Sequence, residues 1–365
     1  MTTLHLRHVA GRGHSGGAVS VGVRLGRVFS SSSVSVLFVC GGGCWRWWLV
    51  VVAVGTEQKN PARFSHPRGS SGVTATTTNG MRAVVLAAGY GTRLERDVRA
   101  DVTGVHSHLL GCPKPLLPVG ALPLASHWMR ALGEANARGH HVEHVYVVTN
   151  ELFHAKFKAW AQDYGPFVTV VNDGTTQNEE RLGAIACLQL VVEQCGLQED
   201  HTIVIGGDTL FYEDFNLSAV IDRFFGLQEH RGPECSLVLS YSCADHETTK
   251  FGILEVDETR KVTAFLEKPS AKETSSRRAC PCFYVYSKHA LPLLKDFLHE
   301  RKDAPLEARD APGNFLAWLY PRKPVYAFEV SGRFDVGGLQ SYLACHKHFV
   351  DRDVSFGSTQ ADAAT

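Results

Sequence analysis

Leu86-Ala87-Ala88-Gly89-Tyr90-Gly91-Thr92-Arg93-Leu94 is the stretch on which the fold turns. It follows Ala83-Val84-Val85, a short apolar run that predicts a buried strand ending at Leu86. Two glycines let the backbone bend sharply and come close to a ligand. Successive N–H groups in such a turn can form an anion-binding concavity, and Arg93 adds a fixed charge with a planar hydrogen-bonding fork. The stretch therefore reads as a phosphate-binding loop or as a plain strand-to-helix turn with a surface arginine. It matches neither standard loop, because Leu94 stands where the dinucleotide fingerprint needs a third glycine and no Gly-Lys-Ser/Thr follows.

Working outward, further apolar, β-branched runs lie at residues 144–149, 167–172, 202–206, 235–240 and 325–330. Between the early ones, residues 122–138, 151–164 and 179–194 carry helical spacing, with Leu124, Trp128, Leu132 and Ala135 on one face. Strand and helix in alternation predict a largely parallel sheet covered on both faces, with ligands beyond the strands' carboxyl ends. From Gly252 the spacing shortens to strands at 252–256, 262–265 and 282–286, which reads as an antiparallel extension walling a pocket. Helices at 287–300, 311–320 and 337–350 close the body, and residues 351–365 read as a flexible tail.

The chain of 365 residues balances 37 basic against 37 acidic side chains. Residues 1–80 hold eight of the basic residues and one acid, so the body is acidic, which argues against phosphate-driven nucleic-acid binding. That leader is Arg- and Ser-rich with an apolar run at 34–55. It reads as an organelle transit peptide, as a membrane span weakened by Gly41-Gly42-Gly43, or as a segment with no folded role before Met81. The last reading is preferred, with a cytoplasmic protein and no stable membrane association expected. The ten cysteines show no paired zinc spacing and read as reduced thiols.

Four more stretches end predicted strands or open loops: Lys114-Pro115-Leu116-Leu117-Pro118-Val119-Gly120, Gly206-Gly207-Asp208, Phe265-Leu266-Glu267-Lys268-Pro269 and Phe334-Asp335-Val336-Gly337-Gly338. Singly, each has a bland reading: a surface lysine, a turn acid, a solvated ion pair, a helix N-cap. Together they fit one chemistry. Two carboxylates from separate strand ends can share a hard divalent cation, usually Mg²⁺. A glycine loop, an arginine and a lysine can hold a triphosphate, and a Glu/Lys pair can hold a phosphorylated, sugar-like second substrate.

In this order, and with Phe251-Gly252-Ile253-Leu254-Glu255-Val256-Asp257, these motifs resemble the sugar-1-phosphate nucleotidyltransferase family, most nearly its glucose-1-phosphate thymidylyl- or uridylyltransferases. The resemblance runs from Met81 to about Val350. It implies a Rossmann-like α/β/α sandwich with a mixed, mostly parallel central sheet and a smaller antiparallel sugar-binding extension. The implied reaction joins an NTP, dTTP or UTP by preference, to a sugar 1-phosphate such as glucose 1-phosphate, with Mg²⁺, releasing pyrophosphate. By the same resemblance Leu86, Ala88, Gly89, Gly91 and Thr92 cradle the nucleotide, Arg93 binds the departing pyrophosphate and Lys114 the α-phosphate. Gly183 meets the base, Asp208 and Asp335 ligate the metal, and Gly252, Glu267 and Lys268 hold the sugar phosphate. A homo-oligomer is compatible with it.

Three departures stand out. Arg93 and Lys114 are separated by about twice the family's spacing, through an insert carrying His106 and His108 that reads as a solvated loop, a lid or a reach to the pyrophosphate. Cys282 stands where the family often has glycine behind the sugar, and Phe334 where it often has tryptophan. No hexapeptide repeats follow Val350. The rival reading is a catalytically silent regulatory or scaffold subunit of the same fold, against which the retained charges argue.

Overall fold

The computed structural model describes residues 80–362 apart from residue 213. The expected leader lies outside the described residues, Gly80 excepted. The chain runs β1 (Met81–Leu86), α1 (Thr92–Ala100), a hairpin β2–β3 (Pro118–Val119, Leu122–Pro123), α2 (Leu124–Ala137), β4 (Val142–Thr149), α3 (Glu151–Ala161), β5 (Val168–Asn172), α4 (Ala184–Cys195) and β6 (His201–Gly206). It continues with β7 (Thr209–Phe211), α5 (Leu217–Arg231), β8 (Ser236–Ser242), β9 (Gly252–Val256), β10 (Val262–Glu267), β11 (Arg278–Cys280) and β12 (Phe283–Tyr286). Helices α6 (Leu293–Glu300), α7 (Glu307–Asp310) and α8 (Pro312–Leu319), strands β13 (Val325–Glu329) and β14 (Arg333–Asp335), and α9 (Leu339–Asp362) complete it.

Strand β1 lies between β4 and β6, parallel to both, and β5 extends the parallel half beyond β4. Its side chains alternate: Ala83 and Val85 enter one core with Trp128, Phe157 and Phe224, while Val84 enters the other with Leu188, Leu294 and Phe315. Helices on both faces of one mixed sheet make the expected α/β sandwich. Leu86 ends opposite Gly206 and Val148, so three strand ends open at one level.

The antiparallel extension consists of β10, β9 and β11. Strand β12, expected there, instead sits between β6 and β8, antiparallel to both. All four of its residues, Phe283 to Tyr286, are buried, as a central strand packed on both faces demands. Three helix boundaries also differ. Helix α4 starts only after Gly183, whose φ of 94° breaks the helix; α6 starts after Pro292, which caps it; α9 continues past Val350 to Asp362. Among the described residues no helix is long and apolar enough to cross a membrane.

Candidate active site

The glycine loop is tied down from both sides. Ala87 N donates to Val148 O at 2.8 Å, and Gly207 N donates to Leu86 O at 3.0 Å. Asn150 is fully buried; its Oδ1 accepts from Phe153 N at 3.1 Å, capping α3, while its Nδ2 donates to Ala88 O at 3.0 Å. One side chain thus starts a helix and fixes the loop. Gly91 has φ 67°, the left-handed turn that glycine tolerates, and leads directly into α1. The loop therefore ends on a helix that buries Leu94 and Val98 and leaves Arg93 exposed.

Beyond the three strand ends lies a cleft of about 360 Å³. Leu86, Ala88, Gly89, Gly91, Lys114, Gly183 and Asp208 all line it. Lys114 opens a 3₁₀ turn between Pro113 and Pro115, and its Nζ donates to Asp208 Oδ2 at 3.3 Å. Asp335 reaches the same region through β14, which pairs with β7 so that Asp335 opposes Thr209, and Val336 N donates to Asp208 O at 2.8 Å. Arg333 Nη1 donates to Asp335 Oδ1 at 3.0 Å. Asp208 Oδ1 and Asp335 Oδ2 accept no hydrogen bond from the described residues. Two neighbouring carboxylates with open oxygens form a hard donor set that fits Mg²⁺ with water and phosphate completing the shell; among the described residues no cluster of three such ligands exists.

Arg93 and Asp335 do not line the cleft, but both approach Gly337. A Cβ on Gly337 would stand 3.2 Å from both Arg93 Nη1 and Asp335 Oδ2. Asp97 Oδ2 accepts from Leu339 N at 3.2 Å, which fastens α1 to the start of α9 and holds that arrangement. Thr92 is exposed at the start of α1, also outside the lining.

Gly252, Glu267 and Lys268 form a separate wall. The Glu267 carboxylate lies between the α-carbons of Gly252 and Gly313, and Pro312, next to Gly313, lines the cleft. Lys268 Nζ is 3.8 Å from Glu267 Oε1, and Lys268 takes φ 53°, a strained value for a non-glycine residue. Burial pushes the Glu267 carboxyl up from the ordinary glutamate range, against the pull of Lys268. A carboxyl raised on folding keeps its full stability contribution below the unfolded-state pKa and loses it as pH rises through the folded value. Glu267→Gln is therefore expected to raise the melting temperature at pH 8 and leave it nearly unchanged at pH 4. Calorimetry across that range checks the sign, and an equal shift at both ends would contradict it.

Several lining residues carried no sequence signal. Asp310 Oδ1 accepts from Ala184 N at 2.7 Å, capping α4 from 126 residues away, and Asp310 Oδ2 lies 3.6 Å from Arg181 Nε. The close approach that Gly183 permits is that of Asp310, whose Cα would be 3.1 Å from a Cβ there. Asp310→Ala removes an N-cap acceptor worth about 1 kcal/mol and is expected to lower the melting temperature by roughly 3 °C, whereas Asp310→Asn keeps most of it. Thermal unfolding of both variants checks this. Cys282 lines the cleft behind Asp208, with burial and that carboxylate pushing its thiol up to about 12. His106 and His108 lie outside the lining, and His108 Nδ1 is bonded to Val105 O at 3.1 Å within the insert.

The Nucleotidyl transferase family model matches residues 82–352. The chain belongs to the nucleotidyl transferase family. Among relatives of this nucleotidyl transferase, the bifunctional protein GlmU of Methanococcus maripaludis is 22% identical over 75% of this chain and 56% of its own length. A mannose-1-phosphate guanyltransferase of Debaryomyces hansenii is 24% identical over 72% of this chain and 63% of its own length. The chain thus spans between half and two thirds of these curated relatives. A Bacillus anthracis protein named as a glucose-1-phosphate thymidylyltransferase, solved with sucrose, shares the fold at a TM-score of 0.56, with 23% identity over 74% of this chain and 96% of that one. A UDP-glucose pyrophosphorylase solved with UDP-glucose does so at 0.55, with 18% identity over 75% and 99%. The family and fold expected from the motif order are both borne out.

Proposed function

We propose that this nucleotidyl transferase joins an NTP to a sugar 1-phosphate, giving an NDP-sugar and pyrophosphate. The observation that carries this reading is a single cleft. The glycine loop, Lys114 and Asp208 line it together, Asp335 is paired with Thr209 next to Asp208, and Glu267 abuts Gly313, next to the lining residue Pro312. The motif order favours dTTP or UTP with glucose 1-phosphate as substrates. Such an acceptor needs no general base, since its phosphate is already ionised at neutral pH. A phosphate oxygen attacks the α-phosphorus, the bond from that phosphorus to the bridging oxygen breaks, and pyrophosphate leaves with the electron pair.

What the protein must do is bring two polyanions together. Backbone N–H groups of residues 88–92 and the Arg93 guanidinium would hold the β- and γ-phosphates. Lys114 would leave Asp208 for the α-phosphate as charge develops there. Glu267 would accept hydrogen bonds donated by the sugar hydroxyls, and Lys268 would pair with its phosphate. Asp208 and Asp335 would hold Mg²⁺, which supplies charge neutralisation between the phosphates. The test is a pyrophosphate-release screen of the full chain against dTTP and the four common ribonucleoside triphosphates, crossed with several sugar 1-phosphates. Turnover confined to one or two cells of that grid is expected. Silence across it would favour the scaffold reading.

A further inference from the structure

The two aspartates come with a buried cation of their own. The Arg333 side chain is 8% exposed, against 39% for Asp335 and 38% for Asp208, so the guanidinium sits behind the carboxylates rather than in the cleft. Its Nη1 donates to Asp335 Oδ1 at 3.0 Å and to Thr209 Oγ1 at 3.2 Å, and its Nε donates to Tyr241 Oη at 3.2 Å. Its Cζ lies 4.7 Å from the Phe251 ring centroid. Clamped this way, it cannot swing out.

Lys114 places a second positive charge on Asp208. The four side chains therefore sum to no net charge, and their pull on a free dication is cancelled at range. A buried guanidinium is an expensive way to pack a strand, since an apolar side chain of similar volume often serves stability as well or better. Its position points to a use in the site. A triphosphate changes the balance: it brings several negative charges and can draw Lys114 away on its flexible stem, while Arg333 stays on Oδ1 and leaves Asp335 a single free oxygen.

We infer that Arg333 is a positioning residue that keeps the two-aspartate site from taking up a divalent cation until a triphosphate arrives, so that cation and nucleotide enter together. This rests on the proposed reading of Asp208 and Asp335 as the cation ligands. It does not depend on which base or sugar is used.

Mn²⁺ serves as the probe, with free ion measured by electron paramagnetic resonance on the full chain. The chain is taken alone and with the α,β-methylene analogues of dTTP, UTP, ATP, GTP and CTP in turn, and binding to each analogue alone is subtracted. The unsubstituted protein is expected to bind Mn²⁺ at least about tenfold more tightly with one or more of the analogues than without any, a coupling of ordinary size. Arg333→Gln, which keeps a donor for Asp335 without the charge, is expected to tighten nucleotide-free binding by about tenfold or more, and Arg333→Lys to restore the weak binding. Equal affinity without nucleotide and with every one of the five analogues in the unsubstituted protein overturns the inference whether or not Arg333→Gln folds. An unchanged nucleotide-free affinity in a folded Arg333→Gln also overturns it. Asp208→Asn separates the two levels: if it leaves Mn²⁺ binding in the presence of the analogues unchanged, the cation-ligand reading itself has failed.

Discussion

Asp208→Asn is expected to reduce pyrophosphate release by at least about 10³-fold while leaving the melting temperature unchanged. The side chain is more than one-third exposed, and its only polar partner among the described residues is Lys114 Nζ at 3.3 Å, which the asparagine oxygen can still accept from. The backbone carbonyl that receives Val336 N is untouched, and the β7–β14 ladder stays intact. What changes is one negative charge where the cation and the α-phosphate would meet. Asp335→Asn is expected to cost a similar factor in rate but to unfold at a lower temperature, because it takes the countercharge from the buried Arg333 guanidinium. Paired rate and unfolding measurements separate the two. Full activity in both variants would remove the aspartates from the site, and equal stability would show that Arg333 does not rely on Asp335.

Most of this arrangement was legible because the informative residues sit at strand ends. Leu86 and Gly206 end their strands opposite each other and one residue before β4 ends at Thr149, so motifs far apart in the chain arrive at one level once the strands are placed. Ala83-Val84-Val85 reads as a buried strand from composition alone. Residues acting across the sequence were not legible. Asp310 caps α4, and Asn150 holds the Ala88 carbonyl, through contacts no local pattern announces. Arg333 carries no signal in the sequence, and its burial shows only once β14 is placed against β7. β12 was misplaced because Phe283 to Tyr286 is too short for periodicity to separate a central strand from an edge one. That Glu267 lies outside the cleft lining and against Gly313, next to the lining residue Pro312, is likewise a contact no local pattern announces.

Gly313→Ala is the change expected to act most strongly on one substrate alone. A Cβ there would fall within contact distance of Glu267 Oε2 and 2.8 Å from Phe265 Cζ. Phe265 has no space to retreat into, and the Glu267 carboxylate, 25% exposed, can yield only by leaving its place. Phe265 is buried in the core, and on its other side Glu267 Oε2 already lies 3.0 Å from where a Cβ on Gly252 would be. The carboxylate has to leave its slot or the start of α8 has to shift, and overpacking of this kind costs about 1–3 kcal/mol. A melting temperature lowered by roughly 3–10 °C is expected, together with an acceptor KM raised at least about tenfold. The NTP KM should move little, because the glycine loop, Lys114 and Asp208 are anchored through β1, β4 and β6 rather than through α8. Initial rates with each substrate varied in turn measure the split. A matching rise in both constants would mean that Gly313 supports the whole cleft. An unchanged acceptor KM in the folded variant would take Glu267 out of the acceptor site.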